Sequence, residues 1–325
     1  MNNTSVILEP GKRELTLSRL LDAPASLVYK MWTDPEHVIN WWGPEGFTNT
    51  TIEMTVQPGG KWRYIMHGPD GVDYPNRITY QEVVKNKKLV YLHGDDADDA
   101  GSLMEVTVLF EPKNGKTLLT MHSIFSSAEA RDLVIEKFGA LEGGKQHIDR
   151  LNNYTKGMED WDPDAQDEIF ITRIFDAPRE LMFEAFSDTR HLAHWYAPAG
   201  CIIEIYEHDF REGGIFLHGI HTPGMKECMC KATYVEISKP ERLVYTLSFA
   251  DIKGNTIEPA VMGKPEWPAE TTVTITFTEW EGKTKLTLHQ TVSATLAKQT
   301  GAYPSWLSMF DNLAKEVAKT LVNVG

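Results

Sequence analysis

Cysteine is scarce in this chain: three residues in 325, Cys201, Cys228 and Cys230, all in the second half. So small and odd a count excludes a disulfide-stapled fold and points to reduced thiols in a cytoplasmic protein. Long apolar runs are missing as well. No stretch reaches the length of a membrane span and residues 1–11 carry no apolar signal core, so no membrane insertion is expected. Positive charge is outnumbered, with 32 Lys and Arg against 46 Asp and Glu, a formal net charge of −14. Without a basic cluster the chain has no footprint for nucleic acid. The Walker loop, Gly-x-Ser-x-Gly, His-Glu-x-x-His and dinucleotide fingerprints are absent too. Their absence argues against the common hydrolase, kinase and dehydrogenase chemistries and leaves no cofactor to expect.

What is present is a repetition. Arg19, Asp22-Ala23-Pro24, Trp32, Asp34, His37 and Trp41-Trp42-Gly43-Pro44 recur as Arg173, Asp176-Ala177-Pro178, Phe186, Asp188, His191 and Trp195-Tyr196-Ala197-Pro198. Each pair is separated by the same 154 residues. A period this long marks two copies of a whole domain. The chain is long enough for two ordinary cores, and 42% hydrophobic residues supply them. The first domain is read as 13–155 and the second as 168–323. The Asp-rich stretch 156–167, with Pro163, is read as the linker.

Both copies follow one pattern. Leu15, Leu17, Arg19 and Leu21 share a strand face, and Ile169, Ile171, Arg173 and Phe175 repeat it, arginine included. An edge position or a snorkelling side chain is the simplest account of the arginine. Asp22 and Asp176 are predicted to cap a first short helix, and Asp34-Pro35 breaks it to start another. About five antiparallel strands follow, with turns at Gly59-Gly60, Pro69-Asp70-Gly71 and Asn114-Gly115. A long helix closes each copy. The fold class is therefore α+β: two tandem domains, each a curved antiparallel sheet with two short helices gripping a long C-terminal helix. A sheet wrapped around one helix can leave an apolar gap.

Strand alternation assigns the residues facing that gap. In the first domain they are Trp62, Tyr64, Met66, Tyr91, His93, Met104, Val106 and Met121, opposed by Ile148 and Leu151 from the helix. In the second they are Phe216, His218, Tyr245, Leu247, Phe249, Val273 and Gln290, opposed by Trp306, Phe310 and Leu313. His93 and His218 are the in-phase imidazoles and so the candidates for acid–base chemistry. The matched pair His122 and His289 falls out of phase. Cys228 and Cys230, near His218 and His221, lack the usual zinc-ligand spacing and are read as buried thiols, so no metal is expected. The acidic run 95–99 lacks the calcium-loop pattern and reads as a solvated loop. Residues 251–270, which include thirteen with no counterpart in the first copy, are expected to form a lid over the second gap.

Together these features resemble the activator-of-heat-shock-protein-ATPase homologue (AHSA-type) family, within the START/SRPBCC helix-grip superfamily. The resemblance rests on Asp22-Ala23-Pro24, Trp32 with Trp41-Trp42, Gly59-Gly60-Lys61-Trp62, Pro69-Asp70-Gly71, Leu89-Val90-Tyr91 and Asp149-Arg150-Leu151. It covers roughly 13–155 and 167–323. It implies a fold and a pocket, but not one reaction, because relatives include lipid and hormone carriers, cyclases and co-chaperones. Binding of an apolar or amphipathic small molecule, without catalysis, is the leading expectation. The alternatives are a co-chaperone acting on a heat-shock ATPase in a stress response, and a cyclase- or hydrolase-type enzyme using His93 or His218.

Overall fold

Alternation in the first long strand, β2 (Glu14–Leu21), buries Leu15, Leu17 and Leu21 and leaves the intervening residues accessible. The computed structural model describes residues 4–97, 103–158, 167–224 and 226–324. The chain divides into two units, Met1–Glu159 and Asp160–Gly325. Residues 159–166, most of the expected linker, lie outside the described residues.

In the first unit, β1 (Ser5–Ile7) and β2 precede helices α1 (Ala25–Thr33) and α2 (Pro35–Trp41). Strands β3 (Thr48–Met54), β4 (Lys61–His67), β5 (Asp73–Val84), β6 (Lys88–Asp95), β7 (Met104–Lys113) and β8 (Lys116–Phe125) follow, then helices α3 (Ala128–Phe138) and α4 (Ala140–Tyr154). Among the described residues they form one antiparallel sheet in the order β1-β2-β8-β7-β6-β5-β4-β3. Six strands thus separate the short helices from the closing ones, where about five were expected.

The second unit repeats the plan. It runs β9 (Glu168–Phe175), α5 (Arg179–Ser187), α6 (Thr189–Trp195), β10 (Ile202–His208), β11 (Ile215–His221), β12 (Cys228–Ser238) and β13 (Arg242–Phe249). It closes with β14 (Thr271–Trp280), β15 (Lys283–Ser293), α7 (Ala294–Gln299) and α8 (Ala302–Val324). Its sheet order is β10-β11-β12-β13-β14-β15-β9. Bulges recur at matching places, Thr51/Glu53 and Tyr80/Glu82 in one sheet, Ile205/Glu207 and Tyr234/Glu236 in the other. An extra residue on one strand bends and twists a sheet, so these bulges curve it around the closing helix.

Local chemistry explains most element ends, with one correction. Asp34 and Asp188 accept the Glu36 and Arg190 backbone N–H groups and cap α2 and α6. Asp22 and Asp176 do not cap. Pro24 and Pro178 occupy the N-cap positions, which leaves Asp22 two residues too early, and its carboxylate meets Lys116 Nζ at 2.6 Å. The Gly-Gly pairs have a double reason. Gly59 and Gly213 take positive φ, and a Cβ on Gly60 or Gly214 would collide with the carbonyl oxygen of Thr55 or Asp209.

The paired arginines differ from expectation too. β2 is not an edge strand, since β1 covers it, although β9 is one. In both domains the arginine makes an ion pair with the closing helix, Arg19 with Asp149 and Arg173 with Asp311. Within the expected solvated acidic run, Asp96 lies between Arg63 and Arg77, its side chain 6% exposed; Asp98 and Asp99 lie outside the described residues.

Candidate functional site

The first domain holds a cavity of about 190 Å³ between the inner sheet face and the start of α4. Alternation along β4, β6, β7 and β8 brings Tyr64, Met66, Tyr91, His93, Met104, Val106, Met121 and Ser123 to its wall. Helix α4 contributes Ala140, Gly143, Gly144 and His147, and Trp42 closes one side. The helical offsets of three, four and seven put these four residues on one face.

Hydrogen bonding fixes the polar groups there. Asn76 donates from Nδ2 to the Tyr74 carbonyl at 2.8 Å, which turns its Oδ1 toward His93 Nε2 at 3.1 Å. His93 Nε2 therefore carries the proton. Tyr64 lies 3.2 Å from that nitrogen and accepts from Trp42 Nε1 at 2.9 Å. Its own hydroxyl proton has no acceptor in this network and is free for a ligand. His147 Nδ1 accepts the Gly43 N–H at 3.0 Å, so the ring's hydrogen sits on Nε2, buried without a partner among the described residues. Burial holds His93 down at about 4 and His147 at about 3, the latter helped by Arg150 and His93. Both rings are neutral at pH 7.

The second cavity, about 160 Å³, occupies the corresponding place. Its helix wall is Ala302, Ser305, Trp306 and Met309, with the spacing of Ala140, Gly143, Gly144 and His147. Trp306 thus stands where the first domain has Gly144, a position at which a Cβ would lie 2.6 Å from Leu17 Cδ1. Trp306 Nε1 donates to Gln290 Oε1 at 2.9 Å, and Gln290 Nε2 donates to Thr271 Oγ1 at 3.0 Å. Across the sheet, Tyr64 pairs with Asn76 and His218 with Cys230, so the polar positions correspond while their chemistry differs. His218 is buried, stacks on Phe216 at 4.4 Å and has no partner for Nδ1. Burial lowers it to about 4, with the Phe216 backbone offsetting part of the shift.

Cys228 and Cys230 also line this cavity. The Cys230 thiol, burial and the Lys264 charge together set Cys228 at about 7, with Cys230 as the main stabiliser of its thiolate. Cys230 is pushed up by the same contact and by burial. From the extra segment, Lys264 and Trp267 complete the wall.

Eight residues that alternation or helical phase placed at a cavity lie behind it instead. Trp62 stacks on Tyr64 at 4.1 Å and donates to Thr51. Ile148, Leu151, Phe216, Val273, Phe310 and Leu313 are buried in the packed core. Tyr245 is buried with its hydroxyl 3.2 Å from that of Tyr196. The helix residues miss because the free space lies against the first turns of α4 and α8, below which helix and sheet are in contact. Sequence reasoning in turn missed Trp42, Ser123, His147, Tyr196, Ser305 and Met309. The helical spacing around Trp306 was a signal for Ser305 and Met309.

His122 and His289 turn to the other face, bonded to Thr16 and Glu168. On the outer face of β10 and β11, Glu204, His221 and Glu227 bring three potential metal ligands within 4.8 Å, the one such grouping among the described residues. His221 already bonds both carboxylates there. The cysteines and His218 do not converge in that way.

Fold and cavities together define a protein of two tandem helix-grip domains. The chain belongs to the family described as Activator of Hsp90 ATPase homolog 1-like protein, whose pattern matches residues 22–156 and 176–318. Among curated proteins none matches this sequence. Protein Ms6760 from Mycobacterium smegmatis is a similar solved structure, 25% identical with a TM-score of 0.45 over 48% of this chain and 99% of its own. A protein from Arthrobacter aurescens is 24% identical with a TM-score of 0.43, over 46% and 90%. The di-domain ARO/CYC BexL from the BE-7585A biosynthetic pathway is 14% identical with a TM-score of 0.38, over 96% and 95%. No helix among the described residues is long and apolar enough to cross a membrane.

Proposed function

We propose that each domain binds an apolar or amphipathic small molecule between its sheet and its closing helix. The observation that carries this reading is placement: both domains keep free space against the same four helix positions, although the side chains there differ. Apolar cavities of roughly 150 Å³ accept an aromatic ring, and these two are of that scale. Their mainly apolar walls supply affinity, and the Tyr64 hydroxyl is a directional donor. Histidines held near pKa 4 are poor general bases at neutral pH, which favours binding over acid–base catalysis.

The test is calorimetric titration with indole, a neutral aromatic small enough for cavities of this size. Two saturable sites are expected, with Met66→Trp filling the first cavity and Ala302→Trp the second. Absence of saturable binding by the folded protein would sink the proposal. The family's description supports a second reading, stimulation of an Hsp90-type ATPase. An ATPase assay with and without the protein separates the two.

A further inference from the structure

The two cavities differ most in charge. The first has no Lys or Arg among its described lining residues, and its two imidazoles are neutral. The second has Lys264, brought in by the segment that the first domain lacks. Its ammonium sits 5.6 Å from the Trp267 ring centroid and 5.9 Å from that of Phe249. These aromatic faces hold the cation at the cavity wall. Among the described residues, no carboxylate lines this cavity and Lys264 forms no ion pair. Besides the indole N–H groups, the other polar side chains there are Tyr196, His218, Cys228, Cys230, Ser248, Gln290 and Ser305, all formally neutral except for the Cys228 thiolate fraction.

Lys264 is half-buried and meets no carboxylate among the described residues, so a ligand carboxylate is a stronger hydrogen-bonding partner for it than the Cys228 sulfur. We propose that the second cavity selects an aromatic or alicyclic molecule bearing a carboxylate, with the carboxylate on Lys264 and the ring between Trp267 and Trp306. The first cavity, by contrast, selects a neutral molecule that accepts a hydrogen bond from Tyr64. This inference rests on the reading of the cavities as ligand sites and adds the charge of the ligand to it.

Naphthoate and naphthalenemethanol share a ring system and differ in charge, so calorimetric titration with each separates the two claims. In the Ala302→Trp variant only the first cavity is open, and in Met66→Trp only the second. With the second open, naphthoate is expected to bind roughly tenfold tighter than the alcohol, the scale of one charge-assisted hydrogen bond. Lys264→Met should remove that preference, whereas Lys264→Arg should keep it. Lys264 lies on a half-exposed loop position, so these variants test the claim in the otherwise unaltered chain as well. Binding of the alcohol with no preference for naphthoate, or a preference that survives Lys264→Met, overturns the inference alone. Failure of both compounds to bind overturns the cavity reading and this inference with it.

Discussion

Arg19 and Asp149 form an ion pair that ties the first long strand of the N-terminal domain to its closing helix, and Arg173 and Asp311 repeat it in the second domain. The two pairs differ in exposure. The Arg19 and Asp149 side chains are 14% and 27% exposed, against 34% and 61% for Arg173 and Asp311. Removing one partner of a shielded pair leaves an uncompensated charge, whereas an exposed pair contributes little. Asp149→Asn should therefore destabilise its domain by about 1–3 kcal/mol and Asp311→Asn by under about 1 kcal/mol. Urea denaturation of the two variants measures the difference. Equal effects would show that burial does not set the strength of this clamp.

The second glycine of each Gly-Gly pair is expected to be intolerant of any side chain. Gly60→Ala and Gly214→Ala drive a Cβ into a backbone carbonyl, which cannot rotate away as a side chain can. A loss of roughly 3 kcal/mol or more is expected in each. Gly144→Ala meets only the end of Leu17, at 2.6 Å, and should be milder. Thermal melts of the three variants give the ranking, and a harmless Gly60→Ala would contradict it.

Acid should weaken both domains through their buried histidines. His147 and His218 are depressed from 6.5 to about 3 and about 4. Between pH 6.5 and those values the unfolded chain binds protons that the native state refuses, so stability falls as pH falls. At pH 5 the loss is about 2 kcal/mol for each histidine. His218→Phe removes an imidazole with an unpartnered nitrogen and keeps its stacking surface. It should cost little at pH 7 and flatten the pH dependence of the second domain. An unchanged slope in urea titrations at pH 7 and pH 5 would count against this account.

Cys228 should alkylate ahead of Cys230. Its thiolate is stabilised by the Cys230 thiol and by Lys264, while Cys230 is pushed the other way. Iodoacetamide labelling followed by peptide mass mapping should show Cys228 modified with a midpoint near pH 7, and Lys264→Met should move that midpoint upward. Earlier modification of Cys230 would reverse the assignment.

Much of this protein is legible from residue order alone, because the rules involved are local. The repeat announces two domains. Alternation puts Tyr64, Met66, His93, Met104 and His218 on inner faces, since a strand's period of two survives wherever no bulge falls between them. Asp34-Pro35 and Asn114-Gly115 end and turn the chain by their own geometry. What only the tertiary structure decided is where the sheet and helix part. Helical periodicity identified the apolar stripe of Trp306, Phe310 and Leu313, but not that Phe310 and Leu313 are packed away in the core while Trp306, bonded to Gln290 of the sheet, borders free space. That depends on how far the bulged sheet curves, which no single strand encodes. The same holds for the ion pairs of Arg19 and Arg173, whose partners are more than a hundred residues away, and for Lys264, whose place at the second cavity is set by how its loop folds back between Phe249 and Trp267.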